Sequence, residues 1–190
     1  MQETFPPKIA KIYDRVMGYF DYAKSADLLD QLIKSNAFQL SVTPTVLEVG
    51  IGTGSRALQL IKKGYCIEGL DHSKSMIKIA VSKGIPSSRI HYANVVNFNI
   101  GKRFEAIISH AGPIRLDYTS RKGYFIDTYL SRKEEVERAV NNIAHHLTKS
   151  GIFIMSVQSA SGRDSSLQNT AQYQSLGEGY TATKEIIEEG

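Results

Sequence analysis

A single cysteine, Cys66, stands in the 190-residue chain, so no disulfide can close within it. There is no cysteine cluster and no close ladder of histidines, so no metal site is expected. No run of Lys or Arg accompanies the formal net charge of +4. The cations are scattered and read as solvated surface, so no nucleic-acid partner is expected. Met1–Lys11 lacks the apolar core of a signal peptide, and no apolar run reaches membrane-spanning length. The expectation is a soluble, cytoplasmic protein without a membrane partner. No G-K-[ST] follows any glycine-rich stretch, which excludes a phosphate-cradling P-loop. There is no internal repeat, and 42% hydrophobic residues suffice for one domain with a real core.

What the chain does have is concentrated at residues 46–54, V-L-E-V-G-I-G-T-G. Val46-Leu47-Glu48-Val49 is a short apolar run ending in glycines, the pattern of a buried parallel strand. Gly50, Gly52 and Gly54 permit a tight turn and close approach of backbone to a ligand. Ala57, Leu58, Leu60 and Ile61 then follow at helical spacing, so the glycines sit where strand becomes helix. Asp71 closes a second apolar run 21 positions after Gly50. A carboxylate there can accept from both hydroxyls of a ribose; the alternative is a helix-capping Asp. A dinucleotide fingerprint requires Gly at position 55, where this chain has Ser55. Glu48, two residues before the first glycine, suits a cationic ligand better than a pyrophosphate. A nicotinamide oxidoreductase is disfavoured on both counts.

Strand and helix patterns alternate along the chain. Strands are predicted at 45–50, 66–71, 89–93, 104–110 and 151–157, and helices at 8–18, 22–36, 54–63, 73–83 and 132–149. That order predicts an α/β fold with a parallel sheet and helices on both faces. Ser73 is positioned to cap its helix and Gly84 to end it, while Gly151 is expected to stop the long helix before the fifth strand. Residues 158–175, rich in Ser, Gln and Asn, read as a loop, and 179–187 alternates like a strand.

With E-V-G-I-G-T-G at 48–54 and Asp71 beyond it, the chain resembles class I S-adenosylmethionine-dependent methyltransferases from about residue 13 to about residue 157. The resemblance implies a Rossmann-like, doubly wound sheet and S-adenosyl-L-methionine as cofactor. It also implies a domain over 1–157 whose N-terminal helices, 8–36, cap the cofactor. Glu48, Gly50, Gly52, Thr53, Gly54 and Asp71 fall in its cofactor-binding positions. His72 and Met76 fall where the family places side chains against ribose and adenine; Met76 is equally open to core packing. Asn94 with Val95 matches the pair that reads the adenine amino group, the other reading being a plain turn. Y-D-x(6)-D-Y-A at 13–23 resembles the N-terminal helices of small-molecule N- and O-methyltransferases, including sugar-amine N-methyltransferases. There Tyr13 and Tyr22 close over the cofactor, although tyrosines on an amphipathic helix also serve packing.

The fourth strand delivers Ser109 and His110 to the sheet edge where ligands bind in open α/β folds. Both are expected to flank the methyl group, with His110 as base, orienting group or plain hydrogen-bonding wall. Segment 112–131, with Arg115, Asp117, Tyr118, Tyr124 and Asp127, is long for one loop and is expected to line the substrate side. His91 reads as structural, and His145-His146 as solvated or interhelical. Without N-P-P-[YF] or a proline-cysteine pair after the fourth strand, nucleobase methylation is disfavoured and a small-molecule oxygen or nitrogen is the expected acceptor. Only five of the family's seven strands are accounted for, with 158–190 read as a loop and the start of a lid strand. The C-terminal strands thus read as missing or incomplete. The rival expectation is a cofactor-binding module or half of a split enzyme, completed by a second copy or a partner chain.

Overall fold

The computed structural model describes residues 5–36, 43–110, 112–119, 123–128, 130, 132–159, 172–175 and 181–184. Two helices come first, α1 (Pro7–Val16) and α2 (Tyr22–Ser35), followed by β1 (Thr45–Val49), α3 (Ser55–Lys62), β2 (Cys66–Asp71) and α4 (Lys74–Ser82). After a 3-10 turn at Ser87–Arg89 come β3 (Ile90–Tyr92), β4 (Phe104–Ser109), β5 (Ile114–Thr119), β6 (Gly123–Thr128), α5 (Lys133–His145) and β7 (Leu147–Met155). The short strands β8 (Val157–Ser159), β9 (Gln172–Ser175) and β10 (Thr181–Lys184) follow.

The main sheet runs β3-β2-β1-β4-β7, and every pairing in it is parallel. From β1 the chain winds outward through β2 and β3, then returns to lay β4 and β7 on the other side. The reversal opens a crevice between the C-terminal ends of β1 and β4, where ligands bind in doubly wound folds.

Strand alternation splits the core into two apolar layers. Val46, Ile67, Ala106 and Ile108 face α2 and α3, packing with Leu29, Ile33 and Leu60. Leu47, Val49, Leu70 and Ile107 face the opposite way, toward Phe98, Phe104, Ala139 and Ile143. Alternation therefore puts Glu48 in the same layer as Val46, under α2 and α3.

Ser73 caps α4, its hydroxyl accepting from the Met76 N–H at 3.3 Å, and Gly84 (φ +104°) follows the helix end, as expected. Expectations for the C-terminal part of the chain need correction. The helix predicted over 132–149 stops at His145, because the ring of His146 turns inward. His146 Nδ1 lies 2.8 Å from Asn142 O, and its ring packs 4.2 Å from that of Phe98. Leu147 already pairs with Phe104, but Ile152 is the next partner, of Ala106, so four residues of β7 bulge opposite Glu105. Gly151 serves that bulge rather than a helix end: a Cβ there would meet Phe104 O at 3.0 Å.

Within the segment 112–131, too long to read as one loop, β5 and β6 form an antiparallel pair, and β8 joins β5 in parallel as a second sheet, β6-β5-β8. The alternation Ile114-Arg-Leu-Asp-Tyr-Thr119 carries this signal. The side chains of Arg115, Asp117, Tyr118, Tyr124 and Asp127 lie outside the described residues. Part of the predicted 158–175 loop is strand, β9, pairing antiparallel with β10 inside the predicted 179–187 strand. Residues 160–171 of that loop lie outside the described residues.

Candidate functional site

The bend between β1 and α3 is built by three glycines with φ of +80°, +56° and +74°. Gly50 lies under the loop after β4, where a Cβ would stand 2.8 Å from Pro113 Cδ. Gly52 is different, since a Cβ there would meet nothing within 4 Å. Its positive φ is a requirement of the turn, and the space above it is open. At Gly54 a Cβ would run into Ile85 and Ala80, so the third glycine lets α3 and α4 pack closely.

Asp71, at the end of β2, stands beside this bend. Its Oδ2 accepts from the Gly52 N–H at 2.9 Å and its Oδ1 from the Ser73 N–H at 2.8 Å. Burial pushes its carboxyl pKa up, against the lowering effect of the Ser73, Gly52 and His72 backbone donors and of the His72 ring. The carboxylate thus braces the bend to the start of α4. His72 Nδ1 lies 3.9 Å from Asp71 Oδ1 and is partly exposed. Met76 is 1% exposed. Asn94 Oδ1 accepts from the Val96 N–H at 2.9 Å, the geometry of an Asx turn, and Val95 is buried beneath it.

Beneath the crevice lies a buried ion pair. Glu48 Oε1 receives Arg56 Nη1 at 2.7 Å, and the two side chains are 2% and 8% exposed. The same Nη1 donates to the carbonyl of His110 at 3.2 Å, and Nε donates to Ser25 Oγ at 3.2 Å. Arg56 so ties β1, α2 and the end of β4 together. The cation expected of a ligand beside Glu48 is supplied first by the chain itself. Among the described residues Glu48 Oε2 is the one buried side-chain polar atom without a hydrogen-bond partner. Burial drives the Glu48 carboxyl upward in pKa, with the Arg56 charge pulling the other way.

His110 sits at the mouth of this arrangement. Its ring packs 5.7 Å from that of Phe20, which lies 5.0 Å from the ring of Tyr22 and 5.8 Å beneath the Arg56 guanidinium. Burial, reinforced by the Arg56 charge, holds the imidazole pKa down at about 3. Burial, with Tyr13 and Asp14 nearby, pushes the Tyr22 phenol up to about 12. Both groups are therefore neutral throughout the physiological range. Ser109 is fully buried and its hydroxyl donates to Ile114 O at 2.7 Å, bracing the turn out of β4.

α1 covers the bend from outside. Tyr13 packs edge-on against Phe5, with ring centroids 5.5 Å apart. Thr53, buried at 2%, donates to Asp14 Oδ1 at 2.6 Å. His91 lies away from the crevice, its Nε2 2.7 Å from Glu68 Oε2.

The structure thus gathers the bend, Glu48, Asp71, Tyr13, Tyr22 and His110 at one edge, and turns the Ser109 hydroxyl inward. Sequence reasoning missed Arg56, Phe20 and Asp14 as parts of this site. For Arg56 a signal existed, because a carboxylate inside an apolar strand requires a cation partner.

No family model matches the chain. It is 27% identical over 135 residues to the dTDP-3-amino-3,4,6-trideoxy-alpha-D-glucopyranose N,N-dimethyltransferase of Streptomyces venezuelae, covering 71% of this chain and 50% of that protein. The crystal structure of Streptomyces venezuelae DesVI matches with a TM-score of 0.60 and 25% identity, over 87% of this chain and 63% of that one. An S-adenosylmethionine-dependent methyltransferase from Clostridium acetobutylicum gives a TM-score of 0.61 at 22% identity, over 88% and 63%. The chain has the Rossmann-like fold of class I S-adenosylmethionine-dependent methyltransferases. It spans about half the length of the curated relatives it matches. Among the described residues no helix is long and apolar enough to cross a membrane, and no group of metal-binding side chains is found.

Proposed function

We propose that this chain binds S-adenosylmethionine in the crevice between β1 and β4 and serves transfer of its methyl group to a small-molecule nitrogen, with a sugar amine as the leading acceptor class. An oxygen acceptor is the runner-up. The observation that carries the reading is the open bend at Gly52 joined to the Asp71 carboxylate at the sheet's switch point. The relatives' names supply the acceptor class.

The residues present fit the cofactor. Gly52 leaves space where any side chain would intrude, and the Asp71 carboxylate stands beside that space as an acceptor for sugar hydroxyls. The partnerless, buried Glu48 Oε2 calls for a hydrogen-bond donor such as an ammonium. His72, Met76, Asn94 and Val95 are the candidates for the ribose and adenine side. Tyr13 and Tyr22 are the candidates for closing over the bound group. When bound, the cofactor supplies a methyl carbon already activated by a sulfonium, so the protein's task is alignment.

His110 is assigned an orienting role. An imidazole whose conjugate acid has a pKa of about 3 accepts a hydrogen bond from an acceptor N–H but does not retain its proton. Tyr22, protonated at every physiological pH, remains a donor. Phe20 and α1 keep water from the crevice.

Titration calorimetry with S-adenosylhomocysteine tests the reading. Wild-type chain should bind, while Asp71→Ala should lose roughly 100-fold in affinity, as expected for two hydrogen bonds to a charged group. Circular dichroism checks that the variant stays folded. A folded Asp71→Ala chain with wild-type affinity would sink the assignment.

A further inference from the structure

Asp14 is the α1 residue that reaches the glycine bend. Its Oδ1 accepts from the hydroxyls of Thr53 at 2.6 Å and Ser55 at 3.1 Å. Its Oδ2 pairs with Lys83 Nζ at 2.5 Å, and Lys83 also donates to Ser55 Oγ at 2.7 Å. One carboxylate thus joins the covering helix, the bend and the C-terminal end of α4.

Apolar packing does little to hold α1 in place. Ala10 is its one buried residue, while Ile9, Ile12 and Val16 are 45%, 36% and 58% exposed. A ten-residue helix is marginal on its own and needs anchoring. The Ser73 hydroxyl also holds this segment, donating to Phe5 O at 3.1 Å. Tyr13, the neighbour of Asp14 on the helix, is carried along with it.

We propose that Asp14 and Lys83 are positioning residues that latch α1 onto the bend, so that a ligand seated there leaves only when this polar latch opens. The proposal rests on the reading of the bend as the adenosyl site. The Asp14–Lys83 pair alone is weak, because the two side chains are 37% and 26% exposed and water screens them. Its strength comes from convergence: Asp14 also accepts from the buried Thr53 hydroxyl and from Ser55, whose Oγ lies 3.4 Å from Thr53 Oγ1. Hydrogen bonds to an ionised acceptor are also stronger than neutral ones. Partial burial alone would raise the Asp14 pKa, but the bonds from Lys83 and Thr53 and the Lys83 charge bring it below the usual carboxylate value. The latch is therefore charged at neutral pH, and acid that protonates Asp14 weakens it.

The test is stopped-flow dissociation of S-adenosylhomocysteine from the full chain, combined with amide hydrogen exchange. Asp14→Ala should raise the dissociation rate roughly tenfold, with little change in association. Lys83→Met should raise it by a smaller factor, roughly threefold, and abolish the salt dependence shown by wild type. Exchange of α1 amides should quicken in Asp14→Ala while β1 and β4 stay protected. The proposal is overturned if Asp14→Ala releases the ligand at the wild-type rate, or if the central sheet loses protection in parallel with α1. Should wild-type chain bind no S-adenosylhomocysteine, the adenosyl reading fails, and unchanged α1 exchange in Asp14→Ala then overturns the latch separately.

Discussion

Replacing Arg56 with Met strips the cation from a carboxylate that has nowhere else to go. Glu48 is 2% exposed and one of its oxygens already lacks a partner. The substitution removes the partner of the other oxygen, the bonds to His110 O and Ser25 Oγ, and the contact with Phe20. Breaking a buried pair from one side costs about 3–5 kcal/mol. For a chain of this length each kcal/mol moves the thermal midpoint by about 2–4 °C, so a fall on the order of 10 °C is expected. The pH dependence identifies the cause. Burial already raises the Glu48 pKa, and losing Arg56 removes the opposing pull, so the folded-state value climbs further. A raised folded pKa means that the native state binds the proton more tightly than the unfolded chain. The stability it confers is present at low pH and lost as pH rises through the folded value. The deficit of Arg56→Met should therefore be smallest near about pH 5 and grow toward about pH 8, as Glu48 is forced to ionise without a partner. The double variant Glu48→Gln/Arg56→Met removes both charges and should recover most of the loss. Urea titrations of the three variants at both pH values measure this. A deficit below about 1 kcal/mol, or one equal at both pH values, would refute the reasoning.

Two further expectations concern the crevice. At Gly52 an Ala side chain meets open space and suffers only the strain of positive φ, about 1–2 kcal/mol, so Gly52→Ala should fold yet bind S-adenosylhomocysteine poorly. Gly112→Ala should be the reverse case, lowering the melting temperature, because its Cβ would lie 2.5 Å from Val49 O and 2.9 Å from Ser109 Oγ. Calorimetry and thermal melts on the pair distinguish crevice from scaffold. His110, held neutral by burial, should show ring NMR shifts that do not titrate between about pH 5 and 8, whereas an inflection in that range would return it to the role of base.

The first two strands of the main sheet were legible because each announced itself twice, by apolar content and by what ended it. Val46–Val49 stops at glycines, Ile67–Leu70 at an acid, and Ser73 and Gly84 bracket α4 with the chemistry that helix ends require. The end of α5 was not legible, since His145-His146-Leu147 contains no breaker. What stops the helix is a tertiary event, the His146 ring lodging against Phe98. The glycines and Asp71 could be read because their chemistry is local to a turn. Arg56 and Asp14 could not be fixed by any spacing rule, since Arg56 reaches β1 across 8 residues and Asp14 reaches Thr53 across 39. Asn94 is where two readings meet, because its side-chain oxygen already serves an Asx turn.

The two chain paths that end the main sheet as β4 and β7 enter the second sheet as β5 and β8. β4 runs beside β7 up to Ser109 and Met155, and pairing resumes between β5 and β8 at Leu116 and Val157. On one path the connection takes two steps, on the other seven. The surplus lies at the switch point and holds His110, Gly112 and Pro113. Because it packs down on β1, where a Cβ on Gly112 would stand 2.5 Å from Val49 O, the extra length fastens the crevice's wall to the strand beneath it.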